Sequence, residues 1–134
     1  MRVATVIVSE NKILLIHRFF EDREYYVIPG GGREDGETIE QTAIREAKEE
    51  TGLDVVLGKK LWELTNPKDG RQNVYFLVES FTGTLQLGGA EAENNSPSNS
   101  FTLEWHEVTE VPLLPIVPEI MKRLFVEAFC SKKI

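Results

Sequence analysis

The order of extended and helical segments predicts a mixed α/β fold of the α+β kind, with residues 1–134 as one domain. Three observations carry this expectation. Short β-branched and aromatic runs lie on both sides of a single central helical segment. A second helical pattern closes the chain, and no linker, internal repeat or low-complexity tract separates the parts. The strands do not alternate regularly with helices, so a doubly wound sheet is not expected.

Taken in order, residues 2–9 form a β-branched run suited to a buried strand. A turn at Glu10-Asn11-Lys12 and an apolar run at 13–16 complete a hairpin. Residues 25–28 are extended, stopped by Pro29 and three glycines. A helix is expected over 39–51, then strands at 55–57, 61–64, 73–79 and 84–87. Residues 88–100 are the most loop-like stretch, and 101–105 alternate like a half-buried strand. Over 119–129, Ile120, Leu124 and Ala128, and also Met121, Phe125 and Phe129, recur at helical spacing, with Pro118 suited to the first turn.

Composition excludes several classes. The chain is 41% hydrophobic and 28% charged, as in an ordinary globular protein. No apolar run approaches the roughly 20 residues needed to span a bilayer, and the N-terminus lacks a signal-peptide layout. The lone Cys130 permits no internal disulfide, which suits a reducing compartment, so a cytoplasmic location is expected. A net charge of −7 argues against a nucleic-acid polymer as partner. Residues 33–50 hold seven acidic and three basic side chains, so this segment carries −4 of that charge. A phosphorylated small molecule would therefore need a cation between itself and the protein.

The informative stretch is PGGGREDGETIEQTAIREAKEETGL, residues 29–53. Thr38 followed by Gln41 forms a capping box that starts the helix at Ile39, and Gly52 supplies the left-handed residue that ends it. Ala43, Ile44 and Ala47 make a narrow apolar stripe that lets the helix lie close to a sheet. On another face Glu46, Glu49 and Glu50 crowd within roughly a 100° arc. Like charges at i, i+3 and i, i+4 in the last turns of a helix oppose both pairwise electrostatics and the macrodipole. Arg45 and Lys48 offset part of this. Pro29-Gly30-Gly31-Gly32 frees the preceding backbone for close approach. Carboxylates beside a glycine loop select a hard divalent cation, Mg²⁺ or Mn²⁺. His17 and His106 lie near no acidic or Cys cluster in the sequence, so zinc has no support.

The stretch resembles the Nudix box of the MutT-like hydrolases, G-x5-E-x7-R-E-U-x-E-E-x-G-U with U aliphatic. The box starts at Gly31 and places Glu37, Arg45, Glu46, Glu49, Glu50, Gly52 and Leu53 at its fixed positions, with the small Ala47 at the first U. The resemblance covers residues 31–53, and LEWHEV downstream is similar to the family's aromatic strand. It implies a Nudix fold, an α/β/α sandwich with a mixed sheet, and Mg²⁺- or Mn²⁺-dependent hydrolysis of a nucleoside diphosphate linked to a group X. Glu46, Glu49, Glu50 and the Gly30 carbonyl match the metal ligands. Arg45 matches the arginine that orients the glutamates, and Glu37 a carboxylate that supports the loop and helix. The family often forms homodimers.

The implied chemistry is attack by water at phosphorus, with Glu46 as general base, or Glu91 or Glu93 of the 88–100 loop. Arg18, Arg33 and Arg71 are candidate phosphate contacts. Trp62, Tyr75, Phe76 and Phe101 are candidates for stacking on a base, although aromatics on strands are more often core. Pro67 lies near the offset of a proline associated with ADP-ribose hydrolases. A sensing module of the same fold is the alternative, but such modules often lose box glutamates and this box is intact. A prenyl diphosphate isomerase would need an upstream Cys, and Cys130 lies elsewhere.

Overall fold

The computed structural model describes residues 1–67, 69–86 and 99–130. Strand β1 (Arg2–Val6) pairs antiparallel with β5 (Gly30–Gly32) and parallel with β7 (Gln72–Gly83), which pairs antiparallel with β6 (Leu53–Thr65). The first sheet is therefore mixed, in the order β5-β1-β7-β6. In the second, β3 (Lys12–Phe20) pairs along its whole length with β8 (Asn99–Glu107). Its other edge takes β2 (Val8–Ser9) and then β4 (Arg23–Val27).

The run expected as one strand over 2–9 divides at Ile7. Val6 pairs with Leu77 in the first sheet and Val8 with Ile13 in the second, while Ile7 is fully buried between them. A run that is apolar on both faces can serve two sheets. The turn at Glu10 and Asn11 has φ of 52° and 63°, and a second at Glu21 and Asp22 has 48° and 68°. Both join strands through two left-handed residues, the geometry that matches strand twist.

The helix α1 (Ile39–Thr51) has the expected bounds because its caps are local. The Thr38 hydroxyl accepts from the Gln41 N–H, the Gln41 side chain accepts from the Thr38 N–H, and Gly52 sits at φ 80°. Ala43 and Ala47 are buried against the first sheet, with Val3, Val74 and Phe76 around one and Leu53, Val55 and Val78 around the other. Ile44 departs from the expected stripe: it is 44% exposed, and the buried face turns toward Thr42 and Thr51 instead. Strand alternation sends Ala4 and Tyr75 to the opposite side, where they meet Met121 and Phe125 of α2 (Glu119–Phe125). Helix, sheet and helix thus form three layers.

Other elements differ in detail. The expected pieces at 55–57 and 61–64 belong to the single strand β6, whose register shifts between Val56 and Trp62 mark bulges or irregular pairing. Residues 84–86 are not strand, and position 87 lies outside the described residues. The closing helix ends as α-helix at Phe125 and continues as a π-helical turn, Val126–Cys130. Pro118 caps it rather than entering its first turn.

Candidate active site

Two consecutive glycines set the approach of two carboxylates. The pairing of β5 with β1 brings backbone against backbone, so a Cβ on Gly30 would lie 2.6 Å from the Val3 carbonyl oxygen and 2.7 Å from Ala4 Cα. A Cβ on Gly31 would instead fall on the carboxyl group of Glu46. The Gly30 N–H donates a 2.7 Å hydrogen bond to Glu50, which is only 7% exposed. Burying a carboxylate costs several kcal/mol unless it is hydrogen-bonded or paired, so this N–H is needed where it stands. The glycine loop thus receives protein carboxylates as closely as it could receive a ligand.

Arg45 ties the loop to the helix. Its Nε and Nη2 donate to the two oxygens of Glu37 at 2.6 and 3.0 Å, and Nη2 also reaches the Gly32 carbonyl at 2.9 Å. Nη1 donates to Glu46 at 3.0 Å and Glu49 at 3.2 Å. The hydrogen bond with Glu37, against the opposing effect of burial, raises the guanidinium above its ordinary range. Glu37 is lowered to about 2, first by Arg45 and then by the Glu34 N–H, with the Thr42 hydroxyl adding to both. One arginine therefore orients two glutamates, and its own position is fixed by a third carboxylate that stays ionised.

The three glutamates of the expected metal set differ in setting. Glu50 is buried, Glu46 is mostly covered and Glu49 has a half-exposed side chain. Among the described residues no three His, Cys, Asp or Glu side chains form a ready-made metal cage. Glu46 and Glu49 turn toward Arg45, and Glu50 toward Gly30. The donor chemistry still fits a hard divalent ion: carboxylate oxygens on adjacent helix turns, facing a strand of glycines. The loop candidates Glu91 and Glu93 lie outside the described residues.

Gly30 and Glu50 also line a cleft of about 230 Å³, opposite Arg18 and Tyr25 of the second sheet and Phe101 of β8. The register sets Tyr25 and Phe101 directly across from Arg18, so all three share one face. The guanidinium carbon of Arg18 lies 4.0 Å from the Phe101 ring centre, a cation–π contact. Its Nη1 is buried and has no hydrogen-bond partner among the described residues. A buried unpaired donor is costly, and an acceptor brought by a ligand would satisfy it.

The other candidates fall elsewhere. Arg33 donates to the Glu37 carbonyl and, with Arg71, faces a separate cleft beyond Gly31. Tyr75 and Phe76 are core residues, and Trp62 packs edge-on against Tyr75, so of the four candidates for stacking Phe101 alone lines the cleft. Pro67 borders an apolar groove with Pro118 and Ile120. Sequence reasoning missed Arg2, which lines both clefts, because it stands at the head of a strand that otherwise reads as core. It also missed Tyr25, which strand alternation could have placed beside Arg18.

One expectation is corrected. His17 does lie among carboxylates: its ring nitrogens meet Glu104 at 2.8 Å and Glu24 at 2.6 Å, and His106 meets the other oxygen of Glu104 at 2.8 Å. Glu104 is 87 residues from His17, and only the pairing of β3 with β8 brings them together. Burial alone would lower His17, but the hydrogen bonds to Glu104 and Glu24 outweigh it and raise its pKa.

Comparison with known proteins agrees with this geometry. The model of the NUDIX domain family matches residues 1–127. YvcI, an uncharacterized Nudix hydrolase of Bacillus subtilis, is 32% identical over 120 residues, covering 84% of this chain and 69% of that protein. An ADP-ribose pyrophosphatase of Methanocaldococcus jannaschii is 37% identical over 110 residues, 74% of this chain and 65% of that relative, just under two thirds of its length. The solution structure of the E. coli ORF135 protein superposes with a TM-score of 0.74 at 28% identity, over 97% of this chain and 87% of that one. A MutT Nudix hydrolase from Burkholderia pseudomallei superposes at 0.70 with 22% identity, over 94% of each chain, which is a likeness of fold. With the intact box, the mixed three-layer fold and a family match over nearly its whole length, this chain belongs to the Nudix hydrolase family.

Proposed function

We propose that the protein is a metal-dependent hydrolase that cleaves the diphosphate linkage of a nucleoside diphosphate derivative, acting as a single domain in the cytoplasm. The observation that carries this reading is the seating of Glu50 and Glu46 on adjacent glycines, at the edge of a cleft holding an Arg18 donor with no partner among the described residues. The ADP-ribose pyrophosphatase relative supports the reaction class.

Glu46, Glu49, Glu50 and the Gly30 carbonyl would hold Mg²⁺ or Mn²⁺. Such an ion, when bound, neutralises phosphate oxygens and lowers the pKa of a bound water. The remaining work belongs to the chain. Arg45 fixes the rotamers of Glu46 and Glu49, so their carboxylates need little reorganisation during reaction. Glu46 takes the proton from the attacking water. The water oxygen bonds to phosphorus as the bridging P–O bond breaks, and the leaving phosphate carries the electron pair away. Arg18 offers its buried Nη1 to an acceptor on the ligand, and Phe101 and Tyr25 wall the cleft for a base.

The test is a panel of nucleoside triphosphates, ADP-ribose, dinucleoside polyphosphates and nucleotide sugars assayed with Mg²⁺, Mn²⁺ or EDTA. At least one compound should be cleaved, EDTA should abolish cleavage, and Glu50→Gln should slow it by orders of magnitude without unfolding the protein. Full activity of Glu50→Gln would refute the metal assignment. Tight nucleotide binding without turnover across the panel would favour a sensing module instead.

A further inference from the structure

We infer that the cleft between the glycine loop and the β6–β7 turn is a second subsite, which binds a phosphate group carried on X, the part of the substrate beyond the scissile diphosphate. This deepens the diphosphohydrolase reading and rests on it for the position of the reacting group. The cleft is about 510 Å³, more than twice the volume of the aromatic one. Arg2, Arg33 and Arg71 reach it from three separate parts of the chain, against one carboxylate, that of Asp69, among the described residues lining it. In a protein of net charge −7, that local balance is the reverse of the average.

The arginines are held in place. Arg2 donates to the Ile28 carbonyl at 2.8 Å and Arg33 to the Glu37 carbonyl at 2.8 Å, and neither forms an ion pair among the described residues. Backbone carbonyls fix these side chains without neutralising them. Arg71 is the more exposed and lies 3.8 Å from Asp69. Among the described residues of its turn, the Asn66 N–H donates to the Arg71 carbonyl, the Gly70 N–H to the Asn66 carbonyl, and the Arg71 N–H to the Asp69 carboxylate. Planar guanidinium forks match phosphate oxygens in geometry as well as charge.

Position connects the cleft to the reaction. A Cβ on Gly31 would fall on the Glu46 carboxyl group and Gly31 also lines this cleft, while Arg2 lines both clefts. A molecule with its nucleoside beside Phe101 and its diphosphate at Gly30 and Gly31 would extend X toward Arg33 and Arg71. A neutral X would leave Arg33 without a counter-charge and Arg71 with only the distant Asp69 carboxylate. The substrate class is therefore a nucleoside diphosphate whose X is itself phosphorylated, either a second nucleotide or a sugar phosphate.

Two measurements test this. In the first, kcat/KM is compared for ADP-ribose, for ADP-ribose with a phosphate on its distal ribose, and for diadenosine tetraphosphate. The wild type should favour at least one phosphorylated X, and the Arg33→Ala/Arg71→Ala double variant should reduce that preference about tenfold or more. Which of the two is favoured identifies the source of the phosphate. In the second, ribose 5-phosphate and ribose are titrated into ¹⁵N-labelled protein without metal. Ribose 5-phosphate alone should shift the amide signals of Gly31, Arg33 and Asn73, and the double variant should lose the response. Cleavage with an unchanged preference and no shifts overturns the subsite while leaving the hydrolase standing. Absence of all cleavage, with ribose 5-phosphate still bound, overturns the hydrolase reading and leaves the subsite.

Discussion

Gly31→Ala separates catalysis from folding more sharply than any change to a glutamate. The added methyl would occupy the space now filled by the Glu46 carboxyl group, within van der Waals contact of its carbon and both oxygens. Only the end of a flexible side chain opposes it, so the carboxylate retreats by about an ångström and the backbone stays. Loss of the Arg45–Glu46 contact at 3.0 Å should cost stability no more than about 1 kcal/mol, the upper range for partly exposed pairs. With Glu46 in the proposed role of general base, a displacement of about 1 Å can lower the rate about 100-fold. The neighbouring glycines calibrate the result. Gly30→Ala drives a methyl into the Val3 and Ala4 backbone at 2.6–2.7 Å, which cannot yield, so stability should fall by about 1–3 kcal/mol. Gly32→Ala meets nothing closer than the Met1 carbonyl at 4.0 Å and should lose far less of either property. The assay pairs kcat on the best panel substrate with the thermal midpoint of each variant. Full kcat in Gly31→Ala, or unfolding of that variant alone, would refute the argument.

Two further predictions concern stability. Glu37 is held at about 2 in the fold against an ordinary 4.5, so its contribution is fully present above 4.5 and is lost as pH falls toward 2. The difference in thermal midpoint between wild type and Glu37→Gln should accordingly be constant above pH 5 and shrink below about 4.5; a constant difference down to pH 2 would contradict the assignment. Phe125 is fully buried where α2 meets the first sheet, so Phe125→Ala should cost about 3–5 kcal/mol by urea denaturation, with kcat of the remaining folded protein little changed.

What the sequence revealed was local. The caps of α1 involve residues at most four apart, so Thr38, Gln41 and Gly52 fixed its ends without reference to the rest of the fold. The spacing of Arg45, Glu46, Glu49 and Glu50 is likewise a property of one helix. Their unequal burial was hidden, because it depends on how β5 lies against β1 and how Gly30 then faces Glu50. The same reason hid the encounter of His17 with Glu104, the cleft around Arg18 and the part played by Arg2. Aromatic residues were ambiguous in sequence because core packing and ligand stacking call for the same side chains. Only the register that sets Phe101 across from Arg18, and buries Tyr75 instead, distinguishes them.

The division of the first β-branched run at Ile7 also makes the cleft a fixed gauge. One covalent strand passes from the sheet that carries the glycine loop to the sheet that carries Arg18, so the walls on which Glu50 and Arg18 stand cannot separate without pulling Ile7 from the core. Residues 28–29 make a second short crossing, from β4 of the second sheet to β5 of the first, and Ile28 is buried there as Ile7 is. Substitutions along the cleft can alter which ligand is accepted, but its width is inherited from two short, buried crossings between the sheets.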